Sequence, residues 1–165
     1  MKLIKHFLLI TILIITSSCF TNRLIENQDE EYQIIEKTHT IKLINVAQNG
    51  MMNDGGLGSY RYVKEDSSNK PGKFYKATII IKNLTDTTTD VNLKKILLCS
   101  EDRKCLEPYD YHMKSIIDGY VNANLKLKGG KEKGRELYYA GPKSFNPKFL
   151  INTESGKFID FDYEQ

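Results

Sequence analysis

Three cysteines and a short basic run are the residues of this chain with the clearest chemical potential. A thiol can be acylated, can pair with a second thiol or can act as a nucleophile, and its surroundings decide which of these it does. Cys19 follows an apolar run and three small residues, whereas Cys99 and Cys105 flank the polar segment SEDRK. The two contexts therefore indicate different chemistry for the thiols.

The first eighteen residues have the three-part layout of a secretory signal. Lysines give a positive start, an apolar run of nine residues follows over Phe7–Ile15, and small residues come next. A transmembrane helix needs about 20 apolar residues to cross the hydrocarbon layer. The run is too short for that, so we predict a signal peptide over residues 1–18.

The five residues Ile15-Thr16-Ser17-Ser18-Cys19 resemble the lipobox of bacterial lipoproteins, with Ile for the usual Leu and Ser for the usual Gly or Ala. The resemblance implies that Cys19 takes a diacylglyceryl group and becomes the first residue of the mature chain. Two or three acyl chains hold a protein nearly permanently at a membrane. An ordinary secreted protein with a free Cys19 is the alternative.

The residues after the lipobox bear on which membrane holds the anchor. Phe20 and Thr21 lack the aspartate that retains many lipoproteins at the inner membrane. This favours the outer membrane of the cell envelope, with a periplasmic or surface-exposed domain.

Cys99 and Cys105 remain as an even pair once Cys19 is used by lipid, and export places them in an oxidising compartment. The segment SEDRK reads as a turn between two apolar strand ends. Facing positions on antiparallel strands bring Cα atoms about 4.5–5.5 Å apart, which a disulfide can bridge. We predict an intradomain disulfide; two reduced thiols are the alternative.

Composition sets bounds on the mature chain. Removing 18 of the 165 residues leaves 147, enough for one domain of ordinary size. The signal carries two of the lysines, so the net charge of +3 falls to about +1, which excludes the strongly basic domain typical of nucleic-acid binding. Ten Tyr, no Trp and many Ile, Thr and Asn favour strands over a helical bundle.

Residues 19–37 are polar and contain a group of acidic residues. They predict a flexible tether that holds the domain roughly 20–25 Å from the membrane on average. A short helix or a first strand through Tyr32–Ile35 is the alternative.

Short strand-like runs separated by turn residues fill residues 38–165. The strongest is Phe74–Lys82, where Tyr75, Ala77, Ile79 and Ile81 alternate onto one face. Tyr120–Lys128 alternates as cleanly. The other predicted strands are 38–47, 60–63, 91–99, 105–107, 136–140, 149–152 and 158–161, with loops that include 49–58 and 129–134. Such spacing predicts an all-β, antiparallel β-sandwich.

Three stretches resemble the small immunoglobulin-like domain found in many bacterial surface lipoproteins and known only as a domain of unknown function. They are KFYKATIIIKNLTDTTTDV, ILLCSEDRKCLEP and LKGGKEKGRELYYAGP. The likeness covers roughly residues 38–165. It implies an immunoglobulin-like β-sandwich and no catalytic residues. The cysteine pair is a departure from the family pattern.

Catalytic and metal sites find little support in the sequence. His39 and His112 are the histidines of the mature chain, and no G-x-S-x-G elbow accompanies them. The pairs Met51-Met52 and His112-Met113 carry soft-metal ligands, but adjacent residues point oppositely on a strand. We therefore predict no catalytic residues, no metal and no cofactor.

The densest charge run lies between Lys126 and Arg135. Its basic residues are Lys126, Lys128, Lys131, Lys133 and Arg135, interrupted by Glu132. A solvated hairpin is one interpretation. The other is that Lys131, Lys133 and Arg135 contact an anionic glycan, a lipid headgroup or an acidic partner.

These observations together predict a non-catalytic envelope lipoprotein that serves as an interaction or structural module. Its expected partners are the membrane, through the lipid anchor, and a protein or anionic glycan, with no nucleic acid. A small-ligand or metal-carrying envelope protein is the alternative. A pocket lined by convergent polar groups would favour the carrier, and a closed core with one exposed apolar or basic patch would favour the module.

Overall fold

A computed structural model describes residues 21–26, 33–49, 51–53, 60–62, 64–65, 70–114 and 121–161. The predicted signal peptide and Cys19 lie outside these residues. The strands are β1 (Thr21–Glu26), β2 (Gln33–Ile35), β3 (His39–Asn49), β4 (Met51–Asn53), β5 (Tyr60–Tyr62), β6 (Lys64–Glu65), β7 (Lys70–Pro71), β8 (Lys73–Asn83), β9 (Thr89–Asn92), β10 (Ile96–Ser100), β11 (Cys105–Leu106), β12 (Pro108–Met113), β13 (Asn124–Leu127), β14 (Glu132–Gly141), β15 (Pro147–Asn152) and β16 (Lys157–Asp160).

The strands pair antiparallel in two main sheets. The larger sheet has the order β1-β3-β8-β14-β12, and β2 pairs with β3 beside β1. The smaller sheet has the order β11-β10-β15-β16. β9 and β13 form a separate two-stranded ribbon, as do β4 with β5 and β6 with β7. The predicted all-β, antiparallel β-sandwich is confirmed.

β8 is the centre of the larger sheet, because β3 and β14 pair along both of its edges. Its alternation is as predicted: four fully buried side chains face the core, namely Tyr75, Ala77, Ile79 and Ile81. They form one apolar cluster with Leu98 and Leu150 of the smaller sheet. Fully burying a large apolar side chain contributes about 1.5–3 kcal/mol, so this cluster holds the two sheets together.

The segment predicted as one strand over Val91–Cys99 is divided, and that prediction was wrong. The Asn92 side-chain oxygen accepts a hydrogen bond from the Lys94 backbone N–H at 3.1 Å and caps a 3-10 turn over Leu93–Lys95. After this turn, β10 begins and belongs to the smaller sheet. The turn shifts the alternation, so that Ile96 is buried while Leu97 is only partly buried.

Two segments of the predicted tether belong to the domain. β1 pairs with residues 45–49 of β3, and β2 pairs with residues 40–42. Ile34 is 2% exposed and joins the main apolar cluster. The prediction of a tether over residues 19–37 was therefore wrong for both segments, because β3 offers them backbone partners and the core buries Ile34. The alternative of a first strand ending at Ile35 is confirmed.

The strand β12 was not predicted, because it begins at a proline and carries polar residues among its tyrosines. It pairs only with β14 at an edge of the larger sheet, where a proline at the first position costs no ladder hydrogen bond. β14 is longer than expected and begins at Glu132. The loop predicted over residues 129–134 therefore ends at Lys131.

Candidate functional site

The core-facing side of β14 changes from apolar to basic along its length. Tyr139 and Leu137 are fully buried in the main cluster. Arg135 and Lys133 continue on the same face, because side chains two residues apart point to the same side of a strand. Arg135 is 8% exposed, and Lys133 is exposed. The two cations therefore lie on the core-facing side of the larger sheet, opposite fully buried residues of β8.

Arg135 is a buried cation with spare donors. Its Nη1 donates a hydrogen bond to the Gly134 carbonyl oxygen at 2.7 Å, while its Nε has no hydrogen-bond partner among the described residues. Burial lowers the pKa of the Arg135 guanidinium. Because an arginine starts from a very high pKa, the group stays charged at neutral pH.

Arg135 and Lys133 form one wall of a groove of about 760 Å³ between β14 and the β9–β13 ribbon. The lining consists of four cations, three amides and three apolar side chains: Lys94, Lys126, Lys133, Arg135, Asn92, Asn122, Asn124, Val121, Ala123 and Leu125. Among the residues that the structure describes, no carboxylate belongs to this lining. Lys76, Lys104 and Lys157 form ion pairs with described carboxylates, and none of these three lysines lines the groove.

Two local features place the lysines of the groove. The Asn92 cap starts the 3-10 turn that carries Lys94, and alternation along β13 exposes Lys126 while Leu125 and Leu127 are buried. The Lys133 Nζ lies 3.3 Å from the Lys126 carbonyl oxygen and donates to it. The groove cations therefore come from three elements, of which the turn that carries Lys94 is distant in sequence from β13 and β14.

The structure brings together two of the three predicted anion-contact residues. Lys133 and Arg135 line the groove, whereas Lys131 is exposed in the preceding turn and does not. Lys94 was missed altogether. No local signal marks it, since it enters the groove only because β9 pairs with β13.

Two turns interlock at the start of β14. The Gly130 N–H donates to the Thr85 carbonyl at 3.0 Å, and the Asn83 N–H donates to the Lys131 carbonyl at 2.9 Å. A side chain on Gly129 would place its Cβ 2.3 Å from the Asp86 carbonyl oxygen. The close approach therefore requires glycine at position 129, and it fixes the turn that leads into the groove.

The two histidines occupy separate places. His39 is 7% exposed, and its Nδ1 lies 3.0 Å from the Thr38 hydroxyl. Burial lowers the pKa of His39. His112 is fully buried, with its ring centre 4.8 Å from that of Tyr138. Among the residues that the structure describes, no three His, Cys, Asp or Glu side chains are grouped closely enough to hold a metal ion.

A second depression, of about 570 Å³, lies beside the cysteine pair. Phe149 and Phe158 contribute to it, with their ring centres 5.8 Å apart. Its charged lining is balanced, with two acidic and two basic residues: Glu101, Asp160, Arg103 and Lys148. The basic groove differs because its four positive charges face no acidic residue in its lining.

Cys99 and Cys105 face one another on β10 and β11 and are joined by a disulfide, with their Cα atoms 4.0 Å apart. This agrees with the predicted pairing. The turn between them is held by the Ser100 N–H, which donates to the Lys104 carbonyl at 2.9 Å. The bridge therefore closes the end of the smaller sheet.

Replacing both cysteines with alanine is expected to lower the free energy of unfolding by about 2–2.5 kcal/mol, since a bridge over a short loop restricts the unfolded chain by that amount. Urea unfolding of both proteins measures the difference. Intact mass with and without alkylation is the control for the native exported protein. Two alkylated thiols in that protein would contradict the bridge.

Known proteins add information on the fold. No family model matches the chain, and no curated protein matches its sequence. A conserved hypothetical protein from Bacillus anthracis is similar in structure, with a TM-score of 0.59 and 12% identity over 87% of this chain and 99% of that one. An uncharacterised β-sandwich protein from Clostridium difficile 630 has a TM-score of 0.52 and 14% identity over 82% and 89%.

A third similar structure is a functionally unknown protein from Listeria monocytogenes EGD-e, with a TM-score of 0.54 and 13% identity over 89% of this chain and 90% of that one. At such identities the likeness shows the β-sandwich fold alone. The described residues contain no helix that is long and apolar enough to cross a membrane.

Proposed function

We propose that the protein is a non-catalytic, lipid-anchored module of the bacterial cell envelope that binds a negatively charged protein or glycan. The envelope address is supported by the signal-like residues 1–18 and by Cys19. The binding role is supported by the groove between β14 and the β9–β13 ribbon. The acyl chains hold the domain at the membrane, and the groove engages the partner.

One observation carries this proposal: four cations line the groove, and none of the described residues of its lining is a carboxylate. Asp90, which pairs with Lys126 across the ribbon, is outside that lining. Cations that converge raise the local positive potential, which attracts anions and speeds their association. Exposed basic residues on a solvated surface are usually interspersed with acidic ones. The groove departs from that pattern although the chain as a whole is nearly neutral.

A small-ligand carrier is the second candidate, and the groove volume favours it, since pockets for small molecules span about 300–1,000 Å³. Such pockets are mostly apolar, with a few polar groups. Its convergent polar side chains are also what a carrier would present. However, seven of its ten lining residues are charged or amide side chains, which leaves little apolar surface for a small ligand. Four cations on three elements suit a partner with several anionic groups, so we favour a larger anionic partner.

Replacing Lys94, Lys126 and Lys133 together with serine is expected to weaken polyanion binding about tenfold, at roughly 0.5 kcal/mol for each exposed ion pair. The measurement uses the lipidated protein in a neutral detergent and dextran sulfate as the probe. Affinity is followed across a salt titration, and the variant is expected to show a shallower dependence on salt.

The matched control replaces Lys82, Lys128 and Lys131 with serine. These lysines are also exposed, and they lie outside the groove lining. Both triple variants change the net charge equally, so a difference in their affinity for dextran sulfate shows that the location of the lysines matters. Equal weakening by the two variants, or no binding of dextran sulfate by the unaltered protein, would contradict the proposed function.

A further inference from the structure

Arg135 is the feature of the groove that points to a particular ligand chemistry. Its side chain is more than nine-tenths buried, it lines the groove, and its Nε has no partner among the described residues. A buried charge is costly unless it is paired. A planar guanidinium pairs best with an oxyanion, to which it can donate two parallel hydrogen bonds.

The edge of β13 argues against an acidic peptide that adds as an extra strand. β13 has four residues, and the Lys126 carbonyl already accepts from the Lys133 ammonium. Lysines at a sheet edge hinder pairing with another chain. A ligand in this groove would therefore meet side chains more than free backbone groups.

The amides beside the cations suit hydroxyl groups. Asn92, Asn122 and Asn124 line the groove with the lysines, and an amide both donates and accepts, as a hydroxyl does. Lysine and arginine side chains only donate hydrogen bonds, so they suit the anionic group of a ligand. The half-buried side chains of Val121 and Ala123 offer contact area for the carbon skeleton of a sugar or polyol.

We infer that the groove binds a polyhydroxylated chain bearing sulfate or phosphate esters, and that Arg135 anchors one ester group by its guanidinium while the asparagines contact neighbouring hydroxyls. This inference rests on the proposed function and narrows its partner to an anionic glycan or polyol polymer. Arg135 would contact the anionic group, and the asparagines would distinguish a hydroxyl-bearing chain from an acidic peptide.

The test compares Arg135→Lys with the unaltered lipidated protein in neutral detergent. The substitution keeps the charge and removes the planar fork, so we expect dextran sulfate to bind about tenfold more weakly, the loss of one charge-assisted pair. Binding of poly-L-glutamate, measured in parallel, is expected to be weaker in the unaltered protein, because that chain offers no hydroxyls to the asparagines. It is expected to fall with Arg135→Lys as well, because a carboxylate also pairs with the planar guanidinium. The matched control is Arg103→Lys, the same substitution at an exposed arginine outside the groove lining, and it is expected to leave both affinities within about twofold.

A second measurement does not depend on the variant folding. In the unaltered protein, the Arg135 Nε–H resonance is expected to shift on titration with dextran sulfate and to stay in place with neutral dextran. Equal affinity for dextran sulfate and polyglutamate would overturn the assignment of a glycan or polyol chain and favour an acidic protein. An unchanged affinity of Arg135→Lys for dextran sulfate would overturn the anchoring role of Arg135. Displacement of dextran sulfate by inorganic sulfate, at the same concentration of sulfate groups, would show that a polymer is not required and would overturn that part of the inference. In each of these cases the protein still binds a polyanion, so the proposed function remains supported while this inference fails.

Discussion

Replacing Asn83 with alanine is expected to lower the free energy of unfolding by about 3 kcal/mol, because buried partners of its side chain lose their hydrogen bonds. Asn83 is fully buried at the end of β8. Its Nδ2 donates to the Thr87 carbonyl at 2.7 Å and to the Leu127 carbonyl at 2.9 Å. Its Oδ1 accepts from the Thr85 N–H at 2.9 Å.

These contacts make Asn83 the link between the larger sheet, the turn that follows β8 and the ribbon that carries the groove. Against a total stability of about 5–15 kcal/mol, the loss would be visible as an earlier midpoint in urea. The isosteric variant Asn83→Asp keeps the acceptor and loses the donors, so we expect it to be at least as unstable at neutral pH. There its second oxygen would face the Thr87 and Leu127 carbonyls.

The matched control is Asn92→Ala. Its side chain makes one capping hydrogen bond, with the Lys94 N–H, at a partly exposed position. Loss of such a cap costs about 1 kcal/mol. If Asn83→Ala destabilised the protein no more than Asn92→Ala does, the buried network would not hold the turns together.

Replacing Cys19 with alanine is expected to abolish partitioning into the detergent phase and labelling by fatty acid. Each buried methylene contributes about 0.8 kcal/mol to membrane binding, and a pair of acyl chains contributes far more than any surface contact of the domain. Phase separation of whole-cell extracts, with acyl labelling in parallel, measures both effects. The protein is expected to move almost completely to the aqueous phase.

Ser18→Ala is the control for this experiment, because it restores a residue that is usual before the lipidated cysteine. It is expected to partition like the unaltered protein. Detergent partitioning of Cys19→Ala at the unaltered level would show that residues outside the lipobox anchor the chain.

Local patterns were enough to predict the strands in which buried and outward-facing side chains alternate regularly. Alternation along β8 and β13 gave their inward residues correctly, and turn residues placed the hairpin of β15 and β16. The pairing of the cysteines could be predicted as readily, because a turn-like segment of five residues separates Cys99 from Cys105. Each of these features depends on neighbours within a few residues, so the sequence states them directly.

Contacts between distant segments decided the rest. Ile34 is buried because β2 pairs with an edge of β3. The pairing of β9 with β13 ends before Leu93, because the Asn92 cap starts a turn that leads the chain into the smaller sheet. The groove has the same origin: Lys94 reaches it through the pairing of β9 with β13, and Arg135 is buried because the pairing of β14 with β8 places it opposite Ile79 in the core. The residue types of the basic run showed that an anion contact was possible. Which cations converge, and which one is desolvated, depends on strand pairings between residues far apart in the chain, and no local pattern encodes those.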